Sequence, residues 1–127
     1  MIQKETFLNV SDNSGAKIVT CIQVYGNGRG NIGDKILLSM QRFKNKKRLS
    51  KLKIKIENHL IYKGLIIQTK KGLLRNDGTK INFNLNSILL LTASNEKMLC
   101  TRITCPLVKE LKSKKFVKIL TISSKII

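Results

Sequence analysis

Tryptophan is absent from this chain, and proline and histidine each occur only once. Acidic residues are also scarce, with seven Asp and Glu in 127 residues. Catalysis usually needs an acid–base pair, an activated nucleophile or a metal, and no such combination surrounds the single histidine, His59. Asp12, Asp34 and Asp77 each stand beside Gly or Asn, where turn formation explains them. We therefore predict no catalytic residue and no enzyme activity, and interpret His59 as a partly buried strand residue or an RNA contact.

Cysteine is sparse as well. The three cysteines, Cys21, Cys100 and Cys105, are an odd number without a disulfide framework, which favours reduced thiols. A structural zinc site needs four ligands, and His59 is the only candidate left to complete one. We predict no metal and no cofactor.

Positive charge is what the chain has in excess. Twenty-five Lys and Arg against seven acidic residues give a net charge of +18, and a surplus of this size suggests a polyanionic partner such as RNA. Lysine outnumbers arginine twenty to five, which favours contacts to phosphates over contacts to bases. Part of that lysine excess has a second explanation, because Ile, Lys and Asn together supply 48 residues, as expected of A+T-rich coding DNA.

The same composition bears on the compartment. No window approaches twenty uncharged apolar residues, so no membrane span is expected, and the first residues do not resemble a signal peptide. Together with the A+T bias, this predicts synthesis inside an organelle, a mitochondrion in the first place. The alternatives are a plastid or the cytoplasm of an A+T-rich bacterium.

Short β-strands separated by turns are predicted over most of the chain. Residues 6–10 and 17–25 are rich in β-branched residues, and another strand begins at Ile36. Residues 51–56 alternate Lys with aliphatic residues, which is typical of a half-buried strand. The glycine-rich residues 26–31 lack the ending of a nucleotide-binding loop, so they are predicted to form a turn, with a direct RNA contact as the alternative. This pattern predicts one small all-β barrel domain over residues 1–127.

Two further elements are predicted in the second half. Asp77 and Gly78 separate short apolar segments, which is a strong hairpin signal. Near the end, Thr104 is placed to cap a short helix with Pro106 in its first turn and a Glu110–Lys114 pair on its surface. The apolar residues 117–122 are expected to pack back on the barrel.

Several ordered blocks resemble the family of ribosomal protein fourteen of the large subunit. The signature-like region consists of Gly64, Leu65 to Ile67, Asp77, Gly78, Phe83, Asn86, Leu89 and Leu90. The opening residues 1–3 and 8–16 match almost residue for residue, as do shorter blocks up to Ile119. The resemblance is weak only between residues 37 and 62, which hold about seven extra residues and a divergent basic insertion at residues 43–60.

The resemblance implies a closed five-stranded β-barrel with a projecting β-ribbon and short C-terminal helices within residues 100–118. It also implies a structural role in the large ribosomal subunit, with contacts to large-subunit rRNA, to a neighbouring ribosomal protein, to small-subunit rRNA at an intersubunit bridge, and to a ribosome silencing factor. A free-standing single-strand binder is the alternative, but its usual aromatic platform is not evident among six scattered Phe and Tyr.

Basic residues are assigned to two predicted surfaces. The predicted rRNA-binding residues are Lys17, Arg42, Lys44, Lys46, Lys47, Arg48, Lys70, Lys71, Arg75 and Lys80. The predicted bridge and partner contacts are Arg102, Lys109, Lys112, Lys114, Lys115 and Lys118.

Overall fold

A closed five-stranded β-barrel forms the body of the protein, as the family resemblance implied. The computed structural model describes residues 1–26, 28–44, 60–92, 97–112 and 116–127. The barrel strands follow each other in the order β1 (Phe7–Val10), β2 (Ala16–Val24), β3 (Lys35–Phe43), β4 (Ile61–Gln68) and β7 (Ser87–Leu91). Neighbouring strands are antiparallel except β1 and β7, whose parallel pairing closes the barrel. The predicted strands 6–10 and 17–25 and the strand around Ile36 are confirmed to within about a residue.

Residues 65–67 of β4 and 88–91 of β7 are buried on both faces of the sheet, which explains why these two runs are entirely apolar. Ile66, Ile88 and Leu90 belong to the core inside the barrel. Their neighbours Leu65 and Leu89 belong to a second core, because the C-terminal part of the chain covers this side of the barrel. Successive residues of a strand face opposite sides, so both sets must be apolar.

The two-stranded ribbon consists of β5 (Leu73–Leu74) and β6 (Lys80–Ile81), joined by the predicted Asp–Gly turn. Gly78 has a φ of +84° and Asp77 Oδ1 accepts a hydrogen bond from the Thr79 N–H at 2.9 Å, so the turn chemistry is as expected. Gly72 enters the ribbon at a φ of +74°, where a Cβ would collide with the carbonyl of Ile81. Only glycine lets the chain turn here beside Lys71.

The predicted helix beginning at Thr104 is wrong. The Thr104 hydroxyl donates to the carbonyl of Ser11 at 3.1 Å, and the Leu107 N–H donates to the carbonyl of Lys125 at 2.9 Å. Because these groups bond to distant segments, the backbone does not coil until the single 3₁₀ turn Lys109–Lys112. The proposed Glu110–Lys114 pair lies outside the described residues at Lys114.

The apolar residues near the end do pack back on the barrel. They form a short α-helix, α1 (Val117–Ile122), whose Ile119 and Leu120 are buried in the second core. The expected strand at residues 51–56 lies outside the described residues. So does most of the basic insertion at residues 43–60, apart from its two ends.

Candidate nucleic-acid interface

A buried turn between β1 and β2 fixes the segment that carries Arg102. Asp12 is 1% exposed, and its carboxylate accepts hydrogen bonds from the N–H groups of Ser14 at 2.9 Å and Leu90 at 3.3 Å. The neighbouring Asn13 side chain accepts from the backbone N–H groups of Thr101 and Arg102. The predicted turn is confirmed, and it holds the exposed Arg102 side chain at the surface.

The ribbon entry and the loop after β2 together form a polar hollow of about 530 Å³. Lys71, Tyr25 and Arg29 all line this hollow, and their side chains are exposed. Asp34 also lines the hollow, but its carboxylate accepts a hydrogen bond from the Asn31 N–H at 2.8 Å and so closes the loop. Two cations beside an aromatic ring are suited to an RNA backbone with an adjacent base.

Neither Tyr25 nor Arg29 was among the predicted site residues. The signal was present in the sequence, since Arg29 stands within the glycine-rich residues 26–31, for which an RNA contact was the alternative interpretation. What sequence reasoning lacked was the pairing that brings this loop to Lys71, about forty residues away along the chain.

The remaining ribbon lysines, Lys70 and Lys80, are also exposed. Lys70 follows β4, its backbone N–H donates to Asn86 Oδ1 at 2.9 Å, and its side chain is exposed. Lys80 is exposed on β6. Lys70, Lys71 and Lys80 therefore lie on one local structure.

Arg75 differs from these lysines, because its guanidinium is already engaged inside the protein. Nε donates to Glu110 Oε1 at 2.5 Å, and Nη2 donates to Glu110 Oε2 at 3.3 Å and to the carbonyl oxygen of Ile127 at 2.8 Å. The hydrogen bond from Arg75 lowers the pKa of Glu110, and the same bond raises the pKa of Arg75. Arg75 thus joins the ribbon to the C-terminal segment, unlike the ribbon lysines.

A second group of predicted rRNA contacts lies on strands β2 and β3. Lys17 and Arg42 are exposed on these neighbouring strands. Lys44 follows β3, and its ammonium donates to the carbonyl of Asp12 at 3.3 Å. Lys46, Lys47 and Arg48 lie outside the described residues.

The described residues among the predicted bridge and partner contacts lie on the C-terminal segment of the chain. Lys109 and Lys112 are exposed at the 3₁₀ turn, and Lys118 is exposed on α1. Lys114 and Lys115 lie outside the described residues. The C-terminal cations are therefore carried by the segment that covers β4 and β7, and they do not lie on the barrel strands themselves.

Cys21 and Cys100 are buried, and Cys105 is partly buried. Cys100 is 6% exposed, and burial raises its pKa to about 11. Burial also raises the pKa of Cys21 and Cys105. Within the described ranges, no three His, Cys, Asp or Glu side chains converge on a possible metal position, and no helix there has the length and apolarity to cross a membrane.

Comparison with known proteins gives one family over the full chain. The profile of the family described as Ribosomal protein L14p/L23e matches residues 1–127. A curated relative, the large ribosomal subunit protein uL14 of Carsonella ruddii (strain PV), is 41% identical over 133 aligned positions, which cover 100% of both chains.

Proposed function

The chain belongs to the ribosomal protein L14p/L23e family, and on that premise we propose that its exposed cations hold folded large-subunit rRNA. Membership makes it a structural component of the large ribosomal subunit and not an enzyme. It also implies binding to rRNA and to other ribosomal proteins. The proposal concerns which residues make these contacts.

The observation that supports the rRNA surface is the cluster of unneutralised cations around the ribbon. Arg29, Lys70, Lys71 and Lys80 are exposed, and no carboxylate of the described residues pairs with them. Lysines on turns and strand ends suit phosphate contacts, which position RNA without reading its sequence. We assign a second set of phosphate contacts to Lys17 and the residues that follow β3. Arg75 we reassign from rRNA contact to positioning of the ribbon.

The C-terminal cations form the second part of the proposal. Arg102, Lys109, Lys112 and Lys118 are exposed on the segment that covers the barrel. We assign to this side the intersubunit bridge to small-subunit rRNA, the contact to a neighbouring ribosomal protein and the surface for a ribosome silencing factor. Replacing these four residues with Gln should leave the protein in free large subunits but reduce subunit joining, measured by gradient sedimentation of ribosomes. Normal joining would contradict the assignment.

Sedimentation also tests the rRNA proposal against the alternative of a free single-strand binder. A tagged copy of the full chain in its native cell should sediment with large-subunit rRNA and be released by nuclease. Protein that sediments freely or with DNA would support the alternative.

The basic insertion suggests a role specific to this ribosome. We propose that residues 43–55 contact an rRNA or protein element that relatives without the insertion lack. Deleting the insertion should spare barrel folding and lower the occupancy of the protein in large subunits. Normal occupancy would show that these charges are only solvated.

The compartment stays a prediction. The curated relative comes from a bacterium, which favours the bacterial alternative over the mitochondrion named first. Mass spectrometry of ribosomes purified separately from organelles and cytoplasm of the source cells would decide between them.

A further inference from the structure

A groove of about 430 Å³ lies on the outside of the barrel and is lined by residues that no assignment above uses together. Its lining comprises Phe7 of β1, Ile18 of β2, and Gln41 and Arg42 of β3. No ribbon residue contributes to it, so it is separate from the hollow around Lys71.

Two β-bulges shape this face. Ala16 pairs with Phe43 but Ile18 pairs with Arg42, so Lys17 is an extra residue on β2. Val19 then pairs with Met40, which makes Gln41 the extra residue on β3. In a regular strand one of two consecutive residues faces the core, whereas Gln41 and Arg42 are both exposed. Bulges re-aim side chains in this way and are frequent beside functional sites.

The chemistry of the groove matches a nucleotide better than an apolar protein side chain. Phe7 is 68% exposed, an unusual position for an aromatic ring on a barrel strand, and the half-buried Ile18 lies beside it. Gln41 supplies an amide that donates and accepts hydrogen bonds. The Arg42 guanidinium has no partner among the described residues, and guanidinium groups pair well with phosphate. An aromatic ring, an amide and a free cation are the groups that bind an unstacked nucleotide.

We propose that this groove holds one unpaired nucleotide of the rRNA, with its base stacked on Phe7 and its phosphate at Arg42. The proposal rests on the proposed function, since it adds a base contact to a surface otherwise assigned to phosphates. It also assigns a role to the exposed ring of Phe7.

The contact of the base with Phe7 and the contact of the phosphate with Arg42 can be measured separately. The measurement is the affinity of the 127-residue chain for single-stranded oligoadenylate at several salt concentrations. Phe7→Leu should weaken binding roughly 5- to 150-fold, the range of one base–aromatic stack, and by a similar factor at every salt concentration. Arg42→Gln should lower the slope of log K against log salt by about 0.7, as expected for one lost phosphate contact on a single strand. Ile22→Ala, at an exposed apolar residue of β2 that lines neither the groove nor the hollow, should change neither quantity. Thermal melting of each variant verifies that the barrel is folded.

Unchanged affinity of the folded Phe7→Leu variant would overturn the nucleotide proposal while leaving the rRNA role intact. Failure of the unsubstituted protein to bind either oligoadenylate or large-subunit rRNA would overturn the proposed function as well. A photoreactive benzoylphenylalanine in place of Phe7 extends the test to assembled large subunits. Crosslinking to an rRNA nucleotide is expected, and crosslinking to a ribosomal protein, or to nothing, would refute the proposal.

Discussion

Removing three exposed cations around the ribbon entry should change the salt dependence of rRNA binding, whereas removing Arg75 should not. Each phosphate neutralised by a basic side chain contributes roughly 0.7–0.9 to the slope of log K against log salt. The combined variant Arg29→Gln, Lys70→Gln and Lys71→Gln should therefore lower the slope by roughly 2 to 3. Between about 50 and 200 mM salt, the unsubstituted protein should lose roughly 20- to 40-fold more affinity than this variant.

Filter binding of the full-length protein to purified large-subunit rRNA measures the slope. Arg75→Gln is the matched control, because it removes one positive charge from the same ribbon. Its guanidinium is engaged by Glu110 and by the carbonyl of Ile127, so we expect a lower melting temperature and an unchanged slope. A slope drop for Arg75→Gln equal to that of a single lysine substitution would refute this division of roles. An unchanged slope for the triple variant would refute the ribbon interface.

Three other predictions concern stability and reactivity. The pKa of Glu110 is lowered from its ordinary value of 4.5 in the folded protein. The stabilisation from its bond with Arg75 is therefore present above pH 4.5 and is lost as pH falls through the folded pKa. Glu110→Gln should lower the melting temperature at neutral pH but not in stronger acid, and a melting-temperature difference that stays constant with pH would contradict this. Gly64→Ala should destabilise the barrel by about 1–3 kcal/mol in urea unfolding, because its Cβ would overlap Leu38; equal stability would show that Leu38 yields freely. Cys100, with its pKa raised to about 11, should resist iodoacetamide near pH 8 until urea unfolds the protein, and rapid alkylation of the folded protein would contradict its burial.

The strands and the ribbon turn were predictable because local sequence decides them. The β-branched run in β2 favours an extended backbone, and Asp77 with Gly78 tolerates the backbone angles of a tight turn. The mistaken helix at Thr104 has the opposite cause. The capping pattern at Thr104 is a local signal. In the folded protein, however, the Thr104 hydroxyl bonds to Ser11 and the Leu107 N–H bonds to the C-terminal segment, so neither group is available to start a helix. These partners are far away along the chain.

The candidate interface was likewise predictable only in part from the sequence. The excess of positive charge, and with it the class of partner, is a property of composition and needs no coordinates. Which cations remain available to a phosphate depends on what each side chain meets after folding. Arg75 and Lys71 are basic residues of the same ribbon region, and the sequence does not distinguish their roles. In the folded protein, Arg75 is bonded to Glu110, whereas Lys71 lines an open hollow.

By itself, the sequence determined the β-rich fold, the family and the polyanionic partner, because strand propensity, turn residues and net charge are properties of local segments or of the whole composition. Only the tertiary structure decided that Arg29 and Tyr25 join Lys71, that Arg75 is engaged internally, and that two bulges open a groove beside Phe7. Each of these depends on which distant strands pair and in what register, and no local segment contains that information.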